Sequence, residues 1–539
     1  MDFFALIAFL ALYYLRPQEW FASFNALHPV QLLAVLAFWA LFQSHKLKLR
    51  TLVRTPLDWL VVFYFIATYI SGLQFSLGSN EAVMMFYFVA VCSLDSIRRQ
   101  EIFLYWWCAF ILIIVLLALG TTVGFDPFGS MDKTEGVMKG RLILNLSIFN
   151  NPNGLAHSIV PVLPMVYYLF FWRRMVMKAG VLLLVIPLYC IFLTQSKGAF
   201  LCCFATLLAT LTFGRSVLYQ CLIVVVALLF GYGALFALPR MNELKNTKTD
   251  PAIQGRVAAL TFGLHLMQTN FFGVGARNFE DAFLRYGPLE KHVTVRVLPA
   301  REISGGPNRP PRTIDARVLR IVRWTHFSKA PHNAYNENGA EFGYPGLFIF
   351  IGILYCCLRT LLLVKSDNDD EERIRRVLFA MVVAYAVSSW MVDFCYRPTF
   401  FMLIATISAF HRRLIDNQNA PETAVAKPLL AQRPWLRNLP GFKLPEIPVP
   451  ALAAPLPAGS VACVAQEAAP GPVVLRPSGV PASPLLPRRA LAWHKPDSTI
   501  EEKLRKNFIW TRLGIWDFLI TLALTYAAVV FWKHLISTM

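Results

Sequence analysis

Residues 331–351 read PHNAYNENGAEFGYPGLFIFI. A polar cluster (His332, Asn333, Asn336, Glu337, Asn338, Glu341) runs straight into an apolar segment that continues to residue 363. A helix needs about 20 largely apolar residues to cross the hydrocarbon core, and this segment approaches that length. A plain helix cap needs one Ser, Thr, Asp or Asn. A histidine, two carboxylates and three amides at one helix start call for a further reason.

Working outward, the pattern repeats along the chain. Its 539 residues are 56% hydrophobic and 15% charged, with mean hydropathy +0.51. The apolar residues fall in long blocks, about twelve of them before residue 415 and one after 510 by the length criterion. Backbone groups in lipid must be paired internally, and the runs are too long for barrel strands. The expected fold is therefore an all-α polytopic membrane protein of about 12 spans. It carries a large extracytoplasmic loop, a Pro/Ala-rich cytoplasmic linker and a C-terminal span. The first run, MDFFALIAFLALYYL, has no basic leading region and reads as a retained span. The ten cysteines lie mostly inside apolar runs, as at Cys202, Cys203, Cys356 and Cys357. Without metal-like spacing they read as packing residues, so no metal and no cofactor is expected.

The net charge is +19, and its placement sets the orientation. With the N-terminus inside, the basic loops at Lys46/Lys48/Arg50/Arg54, Arg98/Arg99, Arg173/Arg174/Lys178 and Arg412/Arg413 are cytoplasmic. Residues 239–334 form a long loop on the opposite face, with 15 basic against 7 acidic residues over 240–331, a net of +8. Long loops translocate largely regardless of charge, so that excess needs another origin. The expected organisation is 1–414 as the transmembrane domain with the 239–334 loop, 415–505 as a disordered linker, and 506–539 as the last span. The linker, with stretches such as PEIPVPALAAPLPAG, lacks any period and is a candidate docking segment for cytoplasmic partners.

Span interiors are almost free of charge, which disfavours an ion-coupled pump. Candidate residues sit at the outer edges. In GRLILNLSIFNNPNGLAHSIV (140–160) the asparagines suit a turn and cap, while Arg141 is either a headgroup anchor or a ligand for an anion. In FLTQSKGAFLCC, Lys197 sits on a hairpin so tight that it must stay near the membrane plane; it reaches headgroup phosphates or a phosphate-bearing substrate. Residues 255–269 fit an amphipathic helix in the interface, with Val257, Leu260, Leu264 and Met267 on one stripe. Arg256 at its start could grip a diphosphate in a bidentate fork. GVGARNF lacks the preceding strand of a dinucleotide fold. His332 is a cap or a group that titrates near neutrality.

In this order, FNNPNGLA (149–156), QSKGAF (195–200), GRVAALTFGLHLMQTNFFGVGARNF (255–279) and HNAYNENGAEFGYPGLF (332–348) resemble the O-antigen ligase and polymerase superfamily. Two positions depart from its pattern: Lys197 stands where the hairpin usually has arginine, and Asn336 where a Leu-Glu pair often follows the tyrosine. The resemblance implies transfer of a glycan from an undecaprenyl-diphosphate-linked donor to an acceptor sugar hydroxyl. The reaction would be metal-independent and inverting, on the periplasmic face of a bacterial inner membrane. It implies His332 as catalytic residue and Arg141, Lys197 and Arg256 as diphosphate-binding residues; Asn333 and Glu337, close by in the chain, are candidates to support His332. The partners would be the lipid-linked donor, a lipid- or glycan-bearing acceptor and membrane lipids, with no nucleic acid. A polymerase of the same superfamily is the first alternative, and a polysaccharide transporter or flippase the second.

Overall fold

The computed structural model describes residues 2–25, 27–44, 52–72, 81–131, 140–172, 182–237, 251–298, 301–303, 312–314, 317–325, 328–364, 368–393, 395, 397–419 and 510–538. The linker from 420 onward and the basic loop residues Lys46, Lys48, Arg50, Arg173, Arg174 and Lys178 lie outside the described residues.

Each apolar run forms a helix, as internal backbone pairing demands. The first helices are α1 (Asp2–Leu15), α2 (Pro29–Gln43), α3 (Pro56–Gly72), α4 (Glu81–Ser93) and α5 (Ile97–Thr122). Next come α6 (Pro152–Ile159), which runs on through Val162–Val166 and a π-helical turn at Tyr167–Phe171, α7 (Leu182–Thr194), α8 (Lys197–Thr212) and α9 (Val217–Ala237). The long loop contributes α10 (Pro251–Thr269) and α11 (Phe279–Tyr286). The chain then forms α12 (Ala334–Leu363), α13 (Asp369–Ser388), α14 (Pro398–Asn419) and α15 (Ile515–Thr538). Residues 1–418 and 506–539 belong to one unit.

Among the described residues, α5, Pro152–Phe171, α12 and α15 are long and apolar enough to cross a membrane. Six further apolar helices are shorter, between 10 and 17 residues. The expected count of about twelve is thus met only in part by length and apolarity. Helix α9 shows an apolar outer face, with Leu218 83% and Leu229 69% exposed, as a lipid-facing helix would. The cysteines expected to pack do so: Cys202, Cys203, Cys356 and Cys357 are buried and free.

Three expectations need correction. The long loop is not all helix, because β1 (Glu290–Leu298) pairs antiparallel with β4 (Arg317–Thr325), and β2 (Arg301–Ile303) with β3 (Arg312–Ile314). In β1, Val293, Val295 and Val297 alternate with Thr294 and Arg296, the period of a strand rather than a helix. The apolar stripe of helix α10, expected to face lipid, is covered by other helices. In it, Leu260, Leu264 and Met267 pack on Leu347, Ile351 and Trp532, while Phe262 and Leu266 pack on Phe279 and Phe283. With apolar residues on two sides, it is held between α12, α15 and α11. Finally, residues 415–419, expected in the linker, continue α14 as helix.

One buried network ties helix ends together away from the long loop. Asp58 accepts from Thr55 N (2.7 Å), Ser408 Oγ (2.6 Å), Tyr87 Oη (2.8 Å) and Arg412 Nη2 (2.8 Å). Both charges are paired and hydrogen-bonded, the condition under which a buried ion pair persists.

Candidate active site

The opening polar stretch is not the start of a continuous membrane helix. Gly343 breaks α12 with φ 68°, ψ −163°, and Pro345 follows it. A Cβ at Gly343 would strike the carbonyl oxygen of Phe271, so only glycine fits that approach. Tyr344 N donates to the same oxygen at 3.2 Å. Residues 334–342 are therefore a separate polar helix, followed by an apolar helix that runs to Leu363.

The polar helix is anchored on every side. Asn333 Oδ1 caps it, accepting from Tyr335 N (3.0 Å) and Asn336 N (3.1 Å). Asn336 Nδ2 donates to Ala259 O of α10 at 3.0 Å, and Asn338 Oδ1 accepts from Tyr64 Oη of α3 at 2.6 Å. Glu341 accepts the backbone N–H of Arg277 (2.8 Å) and of Phe279 (3.1 Å), while its own carbonyl takes Gly275 N at 2.9 Å. The glycine-spaced segment 273–279 is thus a loop wrapped on a buried carboxylate.

His332 stands just ahead of this helix, half-buried and in the left-handed region at φ 48°. That conformation costs a non-glycine residue roughly 1–2 kcal/mol, and such outliers gather where function over-determines the backbone. It is held because Ala334 N donates to Ser389 O (2.7 Å) and Val392 O (3.1 Å), docking the segment on the turn after α13. Burial pushes the imidazole below the usual histidine value; Asp393 pulls it up, and Arg256 and Lys329 push it down. His332 therefore feels one carboxylate and two cations.

The other predicted residues collect at this same end. Arg141 donates through Nε to Thr194 O (2.9 Å) and through Nη2 to Asn153 Oδ1 (3.1 Å), and Ser196 Oγ donates to Asn153 Oδ1 at 2.8 Å. The Asn-Pro-Asn turn, Arg141 and the hairpin carrying Lys197 are one hydrogen-bonded assembly. Asn151 and Asn333 cap helices, as local physics favoured. Arg256 Nη1 lies 3.8 Å from Met391 Sδ, and a Cβ on Gly198 would come 3.0 Å from Met391 Cγ. Met391 therefore touches both Arg256 and the hairpin.

The expected link from Glu337 to His332 is replaced. The electrostatic neighbours of Glu337 are Glu341, Asp393 and Arg397, and the carboxylate acting on His332 is Asp393. Sequence reasoning also missed His157, whose Nδ1 lies 2.9 Å from Ser388 Oγ, and Met391. Neither stands in a pattern that marks it; only the isolated charges Asp393 and Arg397 between two apolar runs gave a local signal.

Beside His332 opens a cavity of about 770 Å³, within the ~300–1,000 Å³ of small-molecule sites. Pro331, Asp393 and Arg397, Glu337 and Glu341 of the polar helix, and Arg16 and Gln18 after α1 are among the residues that line it. Arg141, Lys197, Arg256 and His332 do not line it.

Residues 182–300 match the family model described as O-antigen ligase. This segment is O-antigen ligase-like. The matched segment holds Lys197 and Arg256 and the wrapped loop 273–279; Arg141 and His332 lie to either side of it in sequence. The match bears out the resemblance to the O-antigen ligase superfamily. No curated protein matches the chain.

Proposed function

We propose that the chain is a membrane glycosyltransferase of O-antigen ligase type. It moves a glycan from an undecaprenyl-diphosphate-linked donor to an acceptor sugar hydroxyl on the periplasmic face of the inner membrane. The observation that carries this reading is the position of His332, half-buried in the left-handed backbone region and within electrostatic reach of both Arg256 and Asp393. The O-antigen ligase match over the segment that bears Arg256 and Lys197 supports it.

In this mechanism the acceptor O–H attacks the anomeric carbon while the bond from that carbon to the diphosphate oxygen breaks. The hydroxyl proton passes to the His332 imidazole, which must be neutral to receive it. Burial and neighbouring cations favour the neutral form. The departing diphosphate gains charge, and Arg256 and Lys197 meet it with charge-assisted hydrogen bonds. A lysine at 197 supplies a point charge without the guanidinium fork, so Arg256 carries the bidentate contact. Arg141 holds the hairpin in place through Thr194 and Asn153 and so sets where Lys197 stands. Attack opposite the leaving group inverts the anomeric centre, and the donor diphosphate is neutralised by side chains without a metal.

The test is transfer by the purified protein in liposomes, with donor and acceptor fractions extracted from the source cell's membranes, with and without chelator. Transfer that His332→Ala abolishes in a normally inserted protein is expected. Undiminished transfer by that variant overturns the assignment. A lipid-linked acceptor would mark a polymerase, a lipid A core acceptor a ligase.

A further inference from the structure

A second cavity, of about 330 Å³, lies at the end of the bundle opposite His332. Helices α6, α8 and α13 fix its place, because each has one end at the candidate active site. The Asn-Pro-Asn turn starts α6, Lys197 starts α8, and Ser389, just after α13, accepts from Ala334 N beside His332. The far ends of α6 and α8 and the N-terminal part of α13 line the cavity with Tyr167, Phe171, Trp172, Gly214, Arg215 and Arg376. The 16 residues of α8 put about 24 Å between the two ends.

Local structure builds the walls. The π-helical turn, closed by Trp172 N donating to Tyr167 O at 3.0 Å, brings residues 167, 171 and 172 into one wall. Such turns recur at functional sites. Arg376 is fixed in the facing wall. Its Nη1 donates to Phe213 O (2.7 Å), its Nη2 to Gly214 O (3.3 Å) and its Nε to Glu372 (2.7 Å), and the Trp172 ring lies 5.2 Å from its guanidinium carbon. A Cβ on Gly214, at φ 68°, would strike that guanidinium. A guanidinium carries five N–H donors, more than these partners use. Arg215 is exposed. Among the described residues its guanidinium meets the Tyr219 ring at 5.5 Å and makes no hydrogen bond or ion pair.

Charge and surroundings select the ligand. The lining holds two guanidinium groups and no carboxylate. Glu372 is shared between Arg375 and Arg376, while Asp370 and Glu371 pair with Arg373 and Arg413. A positive charge is left over at Arg215, on a fork that matches phosphate oxygens. Tyrosine and tryptophan beside arginine mark the membrane–water boundary. From Arg215 an exposed apolar track runs along α9 through Leu218, Leu222, Val225 and Leu229, which share one helix face. A free anion makes no use of that track, whereas an acyl chain covers it.

We infer that this cavity is a binding site for an anionic phospholipid. The headgroup phosphate sits on Arg215 and Arg376, and the acyl chains lie outside along α9. Basic pockets between membrane helices take anionic headgroups in this way. The lipid joins α6, α8 and α13 at the end remote from His332, and the site stands or falls independently of glycan transfer.

The test titrates phosphatidylglycerol and phosphatidylcholine separately into the purified full-length protein in detergent and follows bound lipid by native mass spectrometry. The tightest phosphatidylglycerol is expected to half-saturate wild type at an amount about tenfold below phosphatidylcholine. Arg215→Ala, at an exposed position outside the packed core, is expected to raise that amount about tenfold, and Arg215→Lys to recover part of the loss. Arg98→Ala, at an exposed position in another basic loop, is expected to stay within about twofold. Phosphatidylglycerol is also expected to raise the thermal midpoint of wild type and not that of Arg215→Ala. Equal uptake of the two lipids, or equal effects of the Arg215→Ala and Arg98→Ala variants, reduces binding to general lipid coating and overturns the site. Displacement of phosphatidylglycerol by inorganic phosphate at matching concentration assigns a free anion and overturns the lipid.

Discussion

Glu341 accepts the backbone N–H groups of Arg277 at 2.8 Å and of Phe279 at 3.1 Å, so one carboxylate on the polar helix shapes a loop sixty residues earlier in the chain. That loop places Arg277 in the cavity wall and starts α11. Hydrogen bonds to a charged acceptor contribute about 1.5–3 kcal/mol each. Glu341→Ala is expected to release residues 273–279, seen as faster amide exchange there, and to cut transfer about tenfold or more. Unchanged exchange in that loop contradicts the role.

The pH profile follows from the charges around His332. A general base must be deprotonated, and burial lowers the folded value below about 6.5. Activity should therefore persist as pH falls through 6.5 and drop only below it. Asp393 pulls the imidazole up, so Asp393→Asn should move the acid limb to lower pH; Lys329→Ala should move it higher. The stability sign runs the same way. A histidine held neutral in the fold contributes fully above its unfolded value, and that contribution is lost as pH falls below about 6.5. An acid limb that ignores both substitutions contradicts His332 as the base.

Arg256 and Arg285 lie on two helices of the long loop, but Arg285 is exposed at the end of α11. Arg256→Ala should cost transfer at least tenfold, a loss of about 1.4 kcal/mol of transition-state stabilisation. Arg285→Ala should stay within twofold. Equal losses measured in the same liposomes would reduce the effect to bulk charge.

Truncation separates the last helix from the linker. Trp532 is fully buried among Leu260, Leu264, Met267, Leu347 and Ile351, so α15 braces both α10 and α12. Removing residues 506–539 should loosen the helix that carries Arg256 and lower both melting temperature and transfer. Excising 420–505 with a short flexible join should preserve transfer. Equal activity after either deletion contradicts the bracing role.

The Asp58–Arg412 pair gives a control for stability alone. Breaking a buried pair by removing one partner costs about 3–5 kcal/mol. Asp58→Ala should lower the thermal midpoint clearly while the half-saturating donor amount of the surviving protein holds. A changed donor value would contradict its purely structural placement.

Much of this was legible in the sequence because lipid leaves the backbone few options. Apolar runs became helices, Asn151 and Asn333 became caps, and the isolated basic residues Arg141, Lys197 and Arg256 fell at one end with His332. The rest depended on contacts remote in sequence. The break at Gly343 exists because Phe271 O approaches it, and nothing local to PHNAYNENGAEFGYPGLFIFI announces that partner. Amphipathic periodicity placed α10 in the interface because it reports an apolar face without naming its partner, here Trp532 and Phe283. Glu337 was matched to the nearby histidine by proximity in the chain, whereas its surroundings come from 393–397 and the cavity beyond.

The most direct measurement is glycan transfer in liposomes by wild type and His332→Ala, matched for insertion. Bond formation by wild type and none by the variant is the predicted result. Transfer that survives the substitution, or movement of glycan across the bilayer without a new glycosidic bond, would contradict it.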